Sequence, residues 1–233
     1  CEGRWGGGLY ATNSSKITIT GGTISGCTAA ENGGGLYATN SSTITIKNGT
    51  ISGCRAVENG CGLYATNNST VTITGGTISG CKVGAGGGLF ATNSSKITIR
   101  GGTISECSTT LDSGKGGGLY AENSTITISG GTIENNEAAR GGGVALTDST
   151  VTDEEPIRNW MVVGNKAYKT GGGIWLGEKV EWDISDRTKQ IYNNQAIEQG
   201  ADIFLEGGTS AIKLPNAANM GAKYHDSGIN IDN

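Results

Sequence analysis

Residues 8–29 read GLYATNSSKITITGGTISGCTA, and the fold follows from how this stretch is built and how often it returns. Three short runs, Leu9–Thr12, Ile17–Thr20 and Thr23–Cys27, are separated by Asn-Ser-Ser and Gly-Gly. Alternating β-branched residues bounded by turn formers predict strands, and no window carries a helical period. The glycine corner that opens the unit starts at Gly6, Gly33, Gly60 and Gly86, and in degenerate form at Gly116, Gly141, Gly171 and Gly200. The spacings are 27, 27, 26, 30, 25, 30 and 29 residues. A period in this range predicts stacked coils. Three strands per unit, each pairing in parallel with its equivalent about 4.8 Å away, give an all-β, single-stranded parallel β-helix of about eight coils.

The copies predict which side chains point inward. Leu9 becomes Leu36, Leu63, Leu89, Leu119, Val144, Ile174 and Ile203, always aliphatic. Ala11 is matched by Ala38, Ala65, Ala91, Ala121, Leu146, Leu176 and Leu205. Side chains alternate across a strand, so both positions face one interior, joined by the Ile17, Ile19 and Ile24 series. One coil buries too little to offset its own ordering, and several must stack.

The chain divides into regular, Cys-bearing coils over 1–115, degenerate coils of the same solenoid over 116–210, and a tail or final coil over 211–233. Residues 1–110 carry seven Lys/Arg and four Asp/Glu, residues 111–233 ten and seventeen, so the regular part is near neutral and the rest acidic. With a pI of about 5.1 there is no basic footprint for nucleic acid, and no apolar run is long enough for a membrane span. Cys1 falls in phase with the repeat, and we expect a processed chain or a piece of a longer one.

Cys1, Cys27, Cys54, Cys81 and Cys107 occupy one site in successive coils, where later coils carry Asn136, Asn165 and Asn194. Cys61 replaces the middle glycine of a corner. In-register neighbours lie within the range a disulfide allows, although parallel side-chain vectors oppose the bond. The alternatives are disulfides and a stack of reduced, buried thiols. No Cys-x-x-Cys occurs and His225 is the only histidine, so no metal site and no cofactor is predicted.

Between the two inward positions lies an outward one, read as Tyr10, Tyr37, Tyr64, Phe90, Tyr120, Ala145, Trp175 and Phe204. This predicts an exposed aromatic stripe, either a structural ring ladder or a partner site. The second strand projects rows such as Lys16, Thr18, Thr20 and Thr70, Thr72, Thr74, a remote match to ice-binding faces that recurrent Lys and Arg interrupt. Asn-x-Ser/Thr sequons at Asn13, Asn40, Asn67 and Asn93 fall at one corner, where asparagine is a turn former. No catalytic residue stands out: the regular half has no Asp before Asp112. Asp148, Asp153, Glu154, Glu155, Glu178, Glu181, Asp183 and Asp186, with Arg158 and Arg187, read as acids and bases on lengthened corners.

Ile133-x-x-Asn136 before Gly141-Gly-Gly-Val, Val162-x-x-Asn165 before Gly171-Gly-Gly-Ile, and Ile191-x-x-Asn194 before Gly200-Ala-Asp-Ile carry a resemblance. They resemble the paired Phe-x-x-Asn and Gly-Gly-Ala-Ile motifs of polymorphic outer-membrane protein repeats, within the right-handed parallel β-helix proteins. This chain uses Ile or Val for Phe and, in its first five coils, Cys for Asn. The resemblance implies an extracellular or cell-surface, adhesin-like role of the kind autotransporter passengers play. A non-catalytic adhesin, or a structural or filament subunit, is the reading that follows, with partners that are further copies or a cell-surface ligand. A carbohydrate-binding or polysaccharide-degrading protein with a site near Trp160, Trp175 and Trp182 is the alternative.

Overall fold

The computed structural model describes residues 1–109, 112–152, 160–184, 189–206, 209–213 and 231–232. Asp153, Glu154, Glu155, Arg158, Asp186, Arg187, His225 and most of the 211–233 tail lie outside them. The described chain winds into a β-solenoid whose strand pairs are all parallel, in register at Leu9 on Leu36, Leu36 on Leu63 and Leu63 on Leu89, with register shifts at Ile99–Thr103 and Ala138–Arg140.

Three sheets run along the coil. A nine-stranded sheet starts at Leu9–Ala11 and continues through Ile203–Leu205 to Ile231–Asp232. An eleven-stranded sheet takes both the Lys16–Ile19 and Thr23–Ser25 families, which fuse into single ten-residue strands at Lys96–Ser105 and Thr125–Glu134. An eight-stranded sheet is built from pairs such as Thr28–Ala29 and Arg55–Ala56. Two of the predicted strands thus share a sheet, and the third wall is, in the regular coils, a two-residue strand just past the cysteine, lengthening to Glu137–Arg140 and Lys166–Thr170 later. Its short length hides it from any reading of periodicity.

The corners explain the turn residues. Asn13 and Ser14 both lie in the left-handed region, φ 53° and 60°, as do Asn40 and Ser41, Asn67 and Asn68, and Asn93 and Ser94. Asparagine tolerates that region better than other non-glycine residues. Its amide also bridges coils, with Asn67 Nδ2 donating to Thr39 Oγ1 at 3.2 Å and Asn93 Nδ2 to Thr66 Oγ1 at 3.1 Å. The third glycine of each glycine corner is needed for closeness: a Cβ on Gly62 would lie 2.5 Å from Gly88 O and 2.6 Å from Ile78 Cγ2.

The interior is the predicted one except in the first coil, where Leu9 is exposed and Ile17, Ile19 and Ile24 are partly buried. Leu36, Leu63, Leu89, Leu119, Ile44, Ile97 and Ile126 are fully buried in one continuous core. Beyond residue 150 the core changes character. Trp160 and Trp182 stack inside it, ring centroids 5.5 Å apart and planes 16° from parallel, with 1% and 3% exposure. Trp160 pairs in register with Gly131, so an indole occupies a position where earlier coils have a glycine corner.

Candidate functional site

Two columns of side chains run along the solenoid, one inside and one on its flank. The inner column is the cysteine series. Cys27, Cys54, Cys61, Cys81 and Cys107 are fully buried and Cys1 is exposed, and all six are free thiols. Each buried ladder thiol follows a residue at positive φ, Gly26, Gly53, Gly80 or Glu106. Cys27, Cys81 and Cys107 lie near the carbonyl two residues back, at 3.5, 3.5 and 3.2 Å, and Cys61 donates to Cys54 O. Burial holds Cys27 above the ordinary thiol range. Cys61 and Cys81 are pushed up further, first by their hydrogen-bonded thiol neighbours.

After Cys107 the column becomes an amide ladder. Asn136 Oδ1 accepts from Cys107 N–H at 2.9 Å, and Asn136 Nδ2 donates to Ile104 O and Asn165 Oδ1, each at 3.0 Å. Asn165 repeats the pattern onto Ile133 O and Asn194 Oδ1, again at 3.0 Å. The ladder ends on Asp202, whose Oδ1 accepts from Asn194 N–H at 3.1 Å and Nδ2 at 2.8 Å. Asp202 replaces the third glycine of its corner and sits 2% exposed, and burial raises its carboxyl above the usual range. Both columns are held by backbone and neighbours, so this interior is structural.

The flank carries the aromatic column. Trp5, Tyr10, Tyr37, Tyr64, Phe90 and Tyr120 follow one another at centroid distances of 6.3, 5.3, 5.2, 5.2 and 4.7 Å. In-register pairing of Tyr10 on Tyr37 and Tyr64 on Phe90 sets this spacing. The column is exposed only in part, which corrects the exposed stripe. Trp5 and Tyr10 are open, at 38% and 44%, and Tyr37 and Tyr64 are half-buried. Phe90, Tyr120, Trp175 and Phe204 are buried, none above 9%. Two features cover them. The glycine corner curls back beside each ring, so that a Cβ on Gly86 would stand 2.6 Å from Phe90 Cβ. The residue before that corner then lies over the column, Ala85 against the rings and Lys115 above Tyr120. Burial pushes the Tyr37 hydroxyl up to about 12 and raises Tyr64 as well.

Beside Trp175 the flank opens into a pocket of about 330 Å³. Lys115, Arg140, Glu178 and Glu206 reach it. Trp175 Nε1 donates to Glu206 Oε2 at 2.8 Å, and Arg140 Nε stands 3.5 Å from the same oxygen. Sequence reasoning singles out Trp175 and Glu178 but misses Lys115, Arg140 and Glu206. The signal was present: Lys115 and Arg140 occupy the same position before successive glycine corners.

The remaining candidates separate. Trp160 and Trp182 are core residues, which removes them from any surface site. Asp148 pairs with Lys179 at 3.0 Å and Asp183 with Lys213 at 2.9 Å, each acid bound to a lysine one coil away. In the threonine rows Thr18 is exposed, whereas Thr98 and Thr127 are 4% exposed, so the rows are not a uniform open array. Among the described residues no group of three or more His, Cys, Asp or Glu is placed to hold a metal. No helix among the described residues is long and apolar enough to cross a membrane.

Searches among curated proteins and among solved structures returned no significant match. The model of one family, described as the right handed beta helix region, matches residues 7–196. That span runs from within the first glycine corner to just past Asn194, most of the chain, and the chain belongs to this family.

Proposed function

We propose that this chain is a non-catalytic solenoid of the cell surface, an adhesin-like scaffold that contacts its partner along its flank. One observation carries the reading. The ring column runs unbroken from Trp5 to Tyr120, open at Trp5 and Tyr10 and half-buried at Tyr37 and Tyr64. Exposed, contiguous aromatic surface on a rigid scaffold is the chemistry of a contact face. The inner columns support it, because near-identical coils locked by backbone pairing hold those rings at fixed spacing.

The first prediction tests this face. A triple variant, Tyr10→Ser, Tyr37→Ser and Tyr64→Ser, is compared with the wild type for adhesion to immobilised glycans and cells, with sedimentation velocity run in parallel. Wild-type adhesion that drops at least about tenfold in the variant supports an adhesive flank. Wild-type self-association lost in the variant moves the reading to a structural or filament subunit. Depolymerisation of a polysaccharide by the wild-type protein, or unchanged adhesion and association in a folded variant, overturns it.

A further inference from the structure

The ring column has a missing rung, and what fills it identifies a ligand. Tyr120 pairs in register with Ala145, and Ala145 with Trp175. Two strand spacings therefore separate the aromatic positions, about 10 Å, with a methyl group where a ring would lie. The Lys115 ammonium enters this gap. Its Nζ stands 5.6 Å from the Tyr120 ring centroid and 4.8 Å from that of Trp175, within cation–π reach of both. No carboxylate forms an ion pair with Lys115 among the described residues, so the two rings are its recorded partners. Glu178 and Glu206 stand at the rim of the adjoining pocket, which has space for a further group.

We propose that the Ala145 gap is a binding slot for a small quaternary ammonium group, held closed in cis by Lys115. The chemistry is selective. Two π faces on either side of one gap attract a cation, and a methylated ammonium is desolvated more readily than a primary one. The rim carboxylates add attraction for positive charge, while Arg140, tied to Glu206, limits it. The Lys115 side chain can leave the gap without its backbone, which is fixed separately: Lys115 O accepts from Gly86 N–H at 3.0 Å. The tethered ammonium competes as an internal ligand, so its removal exposes the affinity of the slot.

The experiment titrates choline into the wild type, Lys115→Ala, Lys115→Gln and the double variant Lys115→Ala/Ala145→Tyr, by calorimetry and NMR. The neutral isostere 3,3-dimethyl-1-butanol and methyl glucoside serve as comparison ligands. Ala145→Tyr restores the residue type of the preceding coils and refills the gap. The expected result is measurable choline binding by the wild type and binding about tenfold tighter or more in both Lys115 variants. Loss in the double variant and no binding of the isostere complete it. Co-sedimentation with phosphatidylcholine vesicles then separates a lipid headgroup from a free ammonium compound, either of which supports the slot. No choline binding by the wild type, equal binding of the isostere, preference for methyl glucoside, or undiminished binding in a folded double variant overturns it.

Discussion

The two halves of this solenoid solve the same corner differently. From Cys27 to Cys107 the inward residue at the turn into the third wall is a thiol, buried and weakly hydrogen-bonded. From Asn136 to Asn194 it is an amide that satisfies backbone groups on its own and neighbouring coils. A thiol behaves as a small apolar filler, so the regular coils are joined mainly by backbone pairing and apolar packing. An amide ladder couples its coils, because each oxygen is the acceptor for the coil before it. The coupled half is also the half that tolerates irregular corners and the indole pair Trp160 and Trp182.

Breaking the amide ladder at its centre therefore has the largest effect. Asn165→Ala removes the acceptor of Asn136 N–H and Nδ2 and leaves Ile133 O without its donor. Buried groups left unpaired cost roughly 1–3 kcal/mol each, and the expected loss is about 3 kcal/mol or more by denaturant unfolding. Loss of less than about 1 kcal/mol would show that the ladder is not a coupled network.

The end of the ladder makes a smaller, pH-dependent difference. Asp202 supplies the oxygen that a further asparagine would, but as a carboxyl whose ionised form burial disfavours. Its folded pKa lies above the ordinary value of 3.8. The sign follows from linkage: its contribution is full at pH below that ordinary value and is lost as pH rises through the higher folded value. Asp202→Asn keeps the acceptor and removes the ionisation. The variant is expected to lose this pH dependence and to be the more stable of the two at pH 7. Parallel melting curves for wild type and variant across pH 3–8 would remove the carboxyl from the account.

How much of this was legible follows from where repetition speaks. Leu9 and Ala11, copied in every coil, disclose the interior without any structure, because a substitution pattern that stays aliphatic has one physical cause. The Thr28–Ala29 wall escapes, since two residues carry no period. Trp160 and Trp182 escape because the segment between Thr152 and Trp160 has no copy to align with, so inside and outside are not distinguished. Lys115 and Arg140 escape for another reason. Strand alternation is read along strands, whereas these residues sit before corners and fold over a neighbouring column. Asp202 was visible as an acid in the third glycine position of its corner, a departure whose meaning depends on Asn194 lying opposite it.

The smallest expected effect sharpens the comparison most, because it asks whether thiol and amide are interchangeable at the boundary. Cys107 already meets the amide ladder on one side, its N–H donating to Asn136 Oδ1. On the other side its sulfur lies 3.9 Å from Ile78 O, the carbonyl equivalent to the one Asn136 reaches at Ile104. Cys107→Asn would find both an acceptor at Ile78 O and one at Asn136 Oδ1, so the ladder would lengthen by one coil. The gain of hydrogen bonds offsets the added polar burial, and stability should stay within about 1 kcal/mol of the wild type. Cys54→Asn, with thiols on both sides, lacks that continuing amide and should fare worse than Cys107→Asn. Equal cost at the two positions would mean that the backbone carbonyls alone decide, and that the halves differ in composition but not in coupling.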